Sequence, residues 1–495
     1  MKYTIEQLSR KKKPIYSLRA QIAVARRLSG IRTQQIYRNE FMRDRDRILY
    51  SKSFRRLSGK TQVYLSGVDD HKRTRLTHTL EVSQIARSIS SALNLDPDLT
   101  EAIALGHDLG HTPYGHVGER TLHEIMTPHF HHELGESCPL NITNNENSNN
   151  QKQGITDKYS VFLGFKHNLQ SLKNAMELEK NYGNFGLDLT NFTLFGLQFH
   201  SRKIYKEGNV INHDKLTYYD QFVQSGCMLD DGEPAWSFEA FVVAEADEIA
   251  QRHHDVEDAI RGNLVSKDEI TKMILNKFKD YLKPKEKKEL KSAYKQDEET
   301  FIALISRILV NMFVTNLVQA SVVNINLLIY NEQINRSSFV EFVKNHSPYE
   351  DIVRNIISYS SEFKKNDFLK TAKEFQEIIT DRVLSSFDIQ KSDAKGKYII
   401  KKLFQAFYCN PQQLPNHCVV EYLLKTYPNE YEKEKILSDI EKNGIGKIRS
   451  SFFQLINKKE EYTEEKKLIL MRVICDYLSG MTDSYANKTY EELYG

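Results

Sequence analysis

The 495-residue chain is 40% hydrophobic and 27% charged, which fits two or three globular domains; no apolar run is long enough to span a bilayer, so no membrane contact is expected. Its start, MKYTIEQLSRKKKP, lacks the apolar stretch of a secretory signal, and its five cysteines form no CxxC pair, so a disulfide framework and a thiolate zinc site are excluded and a cytoplasmic protein is expected. The net charge of +3 hides an uneven spread: residues 1–60 stand at +13 and the remainder at −10, and a basic head of that kind attracts polyphosphate or nucleic acid.

Residues 1–60 read as a basic, helical segment. SLRAQIAVARRLS predicts a helix over 17–29 that ends at Gly30. Residues 39–58 predict a second, with an imperfect apolar stripe of Met42, Ile48, Leu49, Phe54 and Leu57. A turn led by Gly59 then carries Lys60, Thr61 and Gln62.

Residues 61–265 hold the expected core. Nine of the chain's 16 histidines fall between His71 and His132, a density that usually signals a metal. His78 leads a stripe of Val82, Ile85, Ile89 and Leu93 at helical spacing, so its ring should face inward. The next helix starts after Asp96-Pro97 and buries Ala102, Ile103 and Gly106. His107 lies four residues past Ile103, and Asp108 is roughly 100° further round the helix. Two buried imidazoles and a carboxylate cost several kcal/mol without a cation between them. Gly110, Pro113 and Gly115 then break the helix and present His111 and His116 on a loop, with Glu119 one turn later on a new helix. A carboxylate that fixes an imidazole tautomer is a common proton-transfer device.

The Asn-rich tract at 137–154 predicts a mobile surface loop. FKHNLQSL places His167 before a helix. Residues 237–260 predict the best helix of the chain, with Asp247 turned inward among Val243, Ala244 and Ala250. Residues 266–495 read as a charged, largely helical region that packs on the core. Within it, FIALISRILVNMFVTNLVQASVVNI is a buried helix rather than a membrane span, because it carries Arg307 and Asn311. The expected fold is therefore all-α, with an N-terminal segment (1–60), a catalytic core (61–265) and a C-terminal helical region (266–495).

Six blocks in order carry a resemblance: RDRDRILYSKSFRRLSGKTQV, RLTHTLEV, GHDLGHTPYGHVGE, FKHNLQSL, FEAFVVAEADEIA and DYLSGMTDSYA, running from Arg43 to Ala486. Together they resemble the deoxyguanosine triphosphate triphosphohydrolases of the HD-domain superfamily. The resemblance implies a divalent ion, Mg²⁺ or Mn²⁺, held by His78, His107, Asp108 and Asp247. It implies catalytic work by His116 and Glu119, with His116 as proton shuttle and Glu119 as its orienter or as base, and His111 beside them. It gives Arg75 and His167 to the phosphates, and Gln62 and Asp255 to the sugar. One departure touches selectivity: the family often has Tyr four residues after the metal Asp, and this chain has Gln251. The implied partners are a deoxynucleoside triphosphate, further copies of the chain and single-stranded DNA. Two rival readings are an HD phosphohydrolase of monophosphates or cyclic nucleotides, and a DNA-binding regulator on an HD scaffold.

Overall fold

A computed structural model describes residues 13–21, 25–31, 36–62, 73–142, 148–200, 217–333, 341–342, 345–360, 368–427, 429–458 and 462–495. The described residues form helices and no strands, with a few isolated bridges. The all-α expectation holds. In the first half these are α1 (Glu40–Leu49), α2 (Lys52–Arg56), α3 (Arg75–Ala92), α4 (Pro97–Gly106), α5 (Gly115–Ile125), α6 (Ser148–Tyr159), α7 (His167–Lys173), α8 (Asn191–Phe199), α9 (Asp220–Gly226) and α10 (Phe238–Arg261). The second half adds α11 (Lys267–Lys277), α12 (Pro284–Ala293), α13 (Glu298–Asn331), α14 (Asp351–Arg354), α15 (Phe368–Leu384) and α16 (Phe387–Cys409). It closes with α17 (Asn416–Thr426), α18 (Glu430–Asn457), α19 (Glu464–Ser479) and α20 (Asp483–Tyr494).

Local chemistry sets the two helices that matter most. The Thr74 side chain caps α3 by accepting from Thr77 N. Asp96 caps α4, accepting from Asp98 N and Leu99 N, with Pro97 in the first turn. Val82, Ala86 and Ile89 on α3 and Ala102 and Ile103 on α4 are fully buried, and α3, α4 and α10 pack on one another. Two apolar clusters result. The larger runs from Leu18 through α3, α4, α8, α10 and α13 to Ile389. The smaller joins α5 and Phe165 to α16, α17 and α19. The His107–Glu119 segment runs from the first into the second.

The helix expected over 17–29 is not there: its described residues, 17–21 and 25–29, follow a non-helical path. Arg27 explains why. Its buried guanidinium pairs with Glu40 at 2.5 Å and Asp44 at 2.7 Å on α1, and its backbone bridges Thr190. Leu18, Ala20 and Ala25 are buried alongside it. Burial of a paired charge outweighs local helix propensity. The helix expected over 39–58 is interrupted at Tyr50–Ser51, where Ser51 accepts from Phe54 N and starts α2. Part of the Asn-rich tract is also regular: α6 begins at Ser148, inside the expected loop, with a Gln153–Asp157 side-chain hydrogen bond one turn apart at 2.7 Å. Against the expectation that no apolar run is long enough to span a bilayer, α13 is long and apolar enough by length and composition; apolar side chains along it, from Phe301 to Ile329, are buried in the larger core cluster. It packs against α10, and its Arg307 and Asn311 bond Glu289 and Glu286 of α12.

Glu239, in the first turn of α10, ties three segments together. Its Oε1 accepts from Ala20 N and Asp96 N, while Oε2 is buried without a partner. Burial pushes its pKa up to about 7 from the ordinary 4.5. The folded chain therefore holds a proton that the unfolded chain releases between these values, and stability falls as pH rises through that window. Glu239→Gln keeps the Oε1 acceptor and removes the charge. Between pH 5 and pH 8 the variant should lose roughly 2 kcal/mol less unfolding free energy than the wild type, measured by urea titration at both pH values. Equal losses would contradict the charge-burial account.

Candidate active site

Three helices converge on one centre, buried except for the half-exposed Asp247. α3 supplies His78, α10 supplies Asp247, and the end of α4 supplies His107 and Asp108. His78 Nε2 lies 3.0 Å from Asp247 Oδ1. His107 Nε2 lies 3.4 Å from Asp108 Oδ1 and 4.0 Å from Asp247 Oδ1. The rings of His78 and His107 are 5.6 Å apart, edge to face. His107 is the C-cap of α4, and its Nδ1 sits 2.6 Å from Ala104 O. That carbonyl can only accept, so Nδ1 carries the proton and Nε2 offers a lone pair. His107 Nε2 is buried with no hydrogen-bond partner, although two carboxylates face it. An orphaned nitrogen lone pair beside two carboxylate oxygens is a donor set suited to a divalent cation, and His78, His107 and Asp108 can hold one.

Electrostatics point the same way. Burial pushes the Asp108 carboxyl up, but His107, His111, Arg75 and His78 outweigh it and hold it well below the usual carboxylate range. Asp247 is likewise held down against its burial, by the His78 hydrogen bond and by His107. Both are anions in the folded protein.

Arg75, at the start of α3, is buried. Its NH1 donates to Asp108 Oδ2 at 2.8 Å, while its Nε and NH2 have no partner. A buried guanidinium with spare donors beside a candidate metal ligand is suited to an oxyanion. His111 Nε2 lies 3.7 Å from Asp108 Oδ1. His111 stacks on His167 with centroids 4.1 Å apart, and His116 stands 5.5 Å from His111. His116 is the second residue of α5 instead of part of the loop before it; it keeps exposed surface, while desolvation and the nearby Arg75 guanidinium push its pKa down to about 4.

Glu119 departs from expectation. Its two oxygens take Lys166 Nζ and His167 Nδ1, and no hydrogen bond joins it to His116 among the described residues. Burial pushes Glu119 up, but His167 and Lys166 hold it well below the carboxylate range. Glu119 orients His167, not His116. Gln62 and Asp255 do meet, through Gln251: Gln62 Nε2 lies 3.3 Å from Gln251 Oε1, and Gln251 Nε2 donates to Asp255 Oδ1 at 2.9 Å. The other Asp255 oxygen accepts from Gln376 and Thr380.

His200 and His254 escaped the sequence reading. His200, at the end of α8, lies 5.1 Å from the His107 ring and 5.3 Å from the His167 ring. It reads in sequence as the tail of an apolar helix; its one signal is that, like His107, it ends such a helix. His254 stands 5.3 Å from His78 and bonds Glu81. Asp483, on α20, accepts from Thr61 N and Tyr114 N at 3.0 Å each, so the C-terminal helix fixes both loops at the edge of the site. Two glycines are required by close approach. A Cβ on Gly110 would come within 2.2 Å of His167 O, and one on Gly118 within 2.1 Å of Pro113 O.

Helices that bring a His–Asp pair, a second His and a distant Asp to one buried point define an HD-domain protein. The HD-domain family model matches residues 75–144, and a phosphohydrolase-associated domain matches residues 364–439 and 452–492. Curated relatives extend the likeness over most of the chain. A deoxyguanosinetriphosphate triphosphohydrolase-like protein of Rickettsia rickettsii is 31% identical over 459 residues, 92% of each chain. Proteins of the same name from Bartonella henselae (30% over 474 residues, 93% of this chain and 91% of the relative) and Bordetella pertussis (29% over 463 residues, 92% and 90%) agree with it. The chain belongs to the HD-domain deoxyguanosinetriphosphate triphosphohydrolase family, and it is a hydrolase of that phosphohydrolase class.

Proposed function

We propose that this protein hydrolyses a deoxynucleoside triphosphate to the deoxynucleoside and triphosphate, with a divalent cation, Mg²⁺ or Mn²⁺, held by His78, His107, Asp108 and Asp247. The observation that carries the reading is the orphaned His107 Nε2 facing two carboxylates, with the half-free Arg75 guanidinium paired to one of them. When bound, the cation supplies Lewis acidity toward a phosphate oxygen and lowers the pKa of a bound water. Arg75 keeps two donors for the negative polyphosphate. His116, in the first turn of α5, moves a proton to the departing nucleoside oxygen in this reading. His111 and His167 form a stacked wall behind it, and Glu119 with Lys166 holds that wall in one orientation. Gln62 and Asp255 receive the sugar, with Gln251 between them where the family often has Tyr.

A screen of the four deoxynucleoside triphosphates with Mg²⁺ and with Mn²⁺ tests the reading. Release of triphosphate is the expected result. Orthophosphate release, or turnover of monophosphates and cyclic nucleotides only, would replace it with the rival phosphohydrolase reading. Further copies of the chain, single-stranded DNA bound by the basic head and a cytoplasmic location belong to the same proposal. Sedimentation and salt-dependent DNA binding test the first two; tight salt-sensitive DNA binding with no hydrolysis would favour a regulator instead.

A further inference from the structure

The chain enters α5 through two successive residues in the left-handed region, Tyr114 at φ 60°, ψ 23° and Gly115 at φ 59°. Glycine takes that conformation freely; tyrosine does not, because its Cβ crowds the neighbouring carbonyl. A non-glycine residue stays there only where its surroundings hold it, and such residues gather at functional sites. This turn lies on the phosphate side of the centre. A Cβ on Gly115 would come 3.3 Å from Arg75 NH2, one of the two unpartnered guanidinium donors, and 3.5 Å from Gln62 O. His116 is the next residue.

The hold on the turn comes from the C-terminal helices. Tyr114 N donates to Asp483 Oδ1 at 3.0 Å, and the Tyr114 hydroxyl donates to Asn487 Oδ1 at 3.1 Å. Both partners stand on α20, one turn apart, and the Tyr114 Cβ faces Gly396 of α16. The other Asp483 oxygen accepts from Thr61 N at 3.0 Å and from Thr61 Oγ1 at 2.6 Å. Thr61 precedes Gln62, and Lys60 O accepts from Arg75 N at 2.9 Å. One buried carboxylate therefore holds both the residue before the Gly115–His116 turn and the segment that carries Gln62.

We infer that Asp483 is a positioning residue: through Tyr114 it aims His116 at the phosphates, and through Thr61 it sets Gln62 at the sugar. The inference rests on the proposed hydrolysis for the roles of His116 and Gln62. It gives the phosphohydrolase-associated region, which contains Asp483 and Asn487, a part in turnover. The two tethers act on different quantities. The Tyr114 tether serves proton transfer and so kcat; the Thr61 tether serves substrate binding and so KM. Asp483→Asn keeps the side-chain shape but turns an NH2 group toward one of the two segments, so it releases one tether and loosens the other.

The test measures hydrolysis of the four deoxynucleoside triphosphates with Mn²⁺, and amide hydrogen exchange of residues 114–119, on full-length wild type, Asp483→Asn, Asn487→Ala and Thr61→Val. Asn487→Ala should lower kcat with KM near the wild-type value, and Thr61→Val should raise KM with kcat near the wild-type value. Asp483→Asn should do both, with kcat down about 100-fold, the loss expected from a misplacement of about 1 Å. Exchange at residues 114–119 should rise in Asp483→Asn and Asn487→Ala but not in Thr61→Val, with metal content and circular dichroism unchanged. If Asp483→Asn fails to fold, the two single-tether variants carry the same split. Unchanged exchange at residues 114–119 in both α20 variants would overturn the inference, and so would kcat and KM moving together in the two single-tether variants. A wild type that releases no triphosphate, with exchange still raised in the α20 variants, would support the tether and overturn the proposed hydrolysis.

Discussion

Replacing His107 or Asp108 with alanine should abolish hydrolysis and empty the primary centre together. His107 brings the buried unpartnered Nε2, and Asp108 brings the carboxylate that faces it and also pairs with Arg75. A metal at such a site contributes several kcal/mol of transition-state charge stabilisation, so the rate should fall ~10³-fold or more. The Asp108 variant carries a second penalty, because it leaves the buried Arg75 without its anion, and removal of one member of a buried pair costs about 3–5 kcal/mol of stability. It should therefore melt lower than the His107 variant. Turnover and metal analysis on the same preparations check this. Retained turnover in a metal-free His107→Ala protein would refute the assignment.

His116→Ala separates metal binding from proton transfer. The ring stands 5.5 Å from that of His111 in the first turn of α5, and shares no hydrogen bond with the four candidate ligands among the described residues. The variant should keep its metal and lose about 10²–10⁴-fold in kcat, the range of general acid–base catalysis. Because Glu119 bonds Lys166 and His167 instead of His116, Glu119→Gln should act on a different quantity. It loosens the His111–His167 wall, so it should weaken substrate binding as well as turnover, raising KM where His116→Ala leaves KM near the wild-type value. Equal KM values in the two variants would mean that Glu119 serves His116 after all.

Much of this was legible in the sequence where chemistry is local. His78 and His107 could be aimed inward because each lies in register with an apolar stripe that does face the core: Val82, Ile85, Ile89 and Leu93 in one case, Ile103 in the other. The helix start after Asp96-Pro97 and the breaks at Pro113 and Gly115 also act within a few residues. The misreadings come from long-range partners. Residues 17–29 have helical propensity, but Arg27 is claimed by carboxylates of α1 and Ala20 N by Glu239, 219 residues away. Glu119 lies three residues from His116, and spacing favoured that pair; His167, 48 residues on, takes the carboxylate instead. His200 carried no motif, since its meaning depends on α8 ending beside α7. Gln251 looked like a lost tyrosine, yet it links Gln62 to Asp255 by two amide contacts.

The central claim is a cation held where α3, α10 and the end of α4 meet. Anomalous diffraction at the manganese edge from crystals of the Mn²⁺-loaded protein tests it most directly. The account predicts a strong peak within bonding distance of His78, His107, Asp108 and Asp247. Manganese found only at other side chains, with those four still bonded to one another, would contradict it.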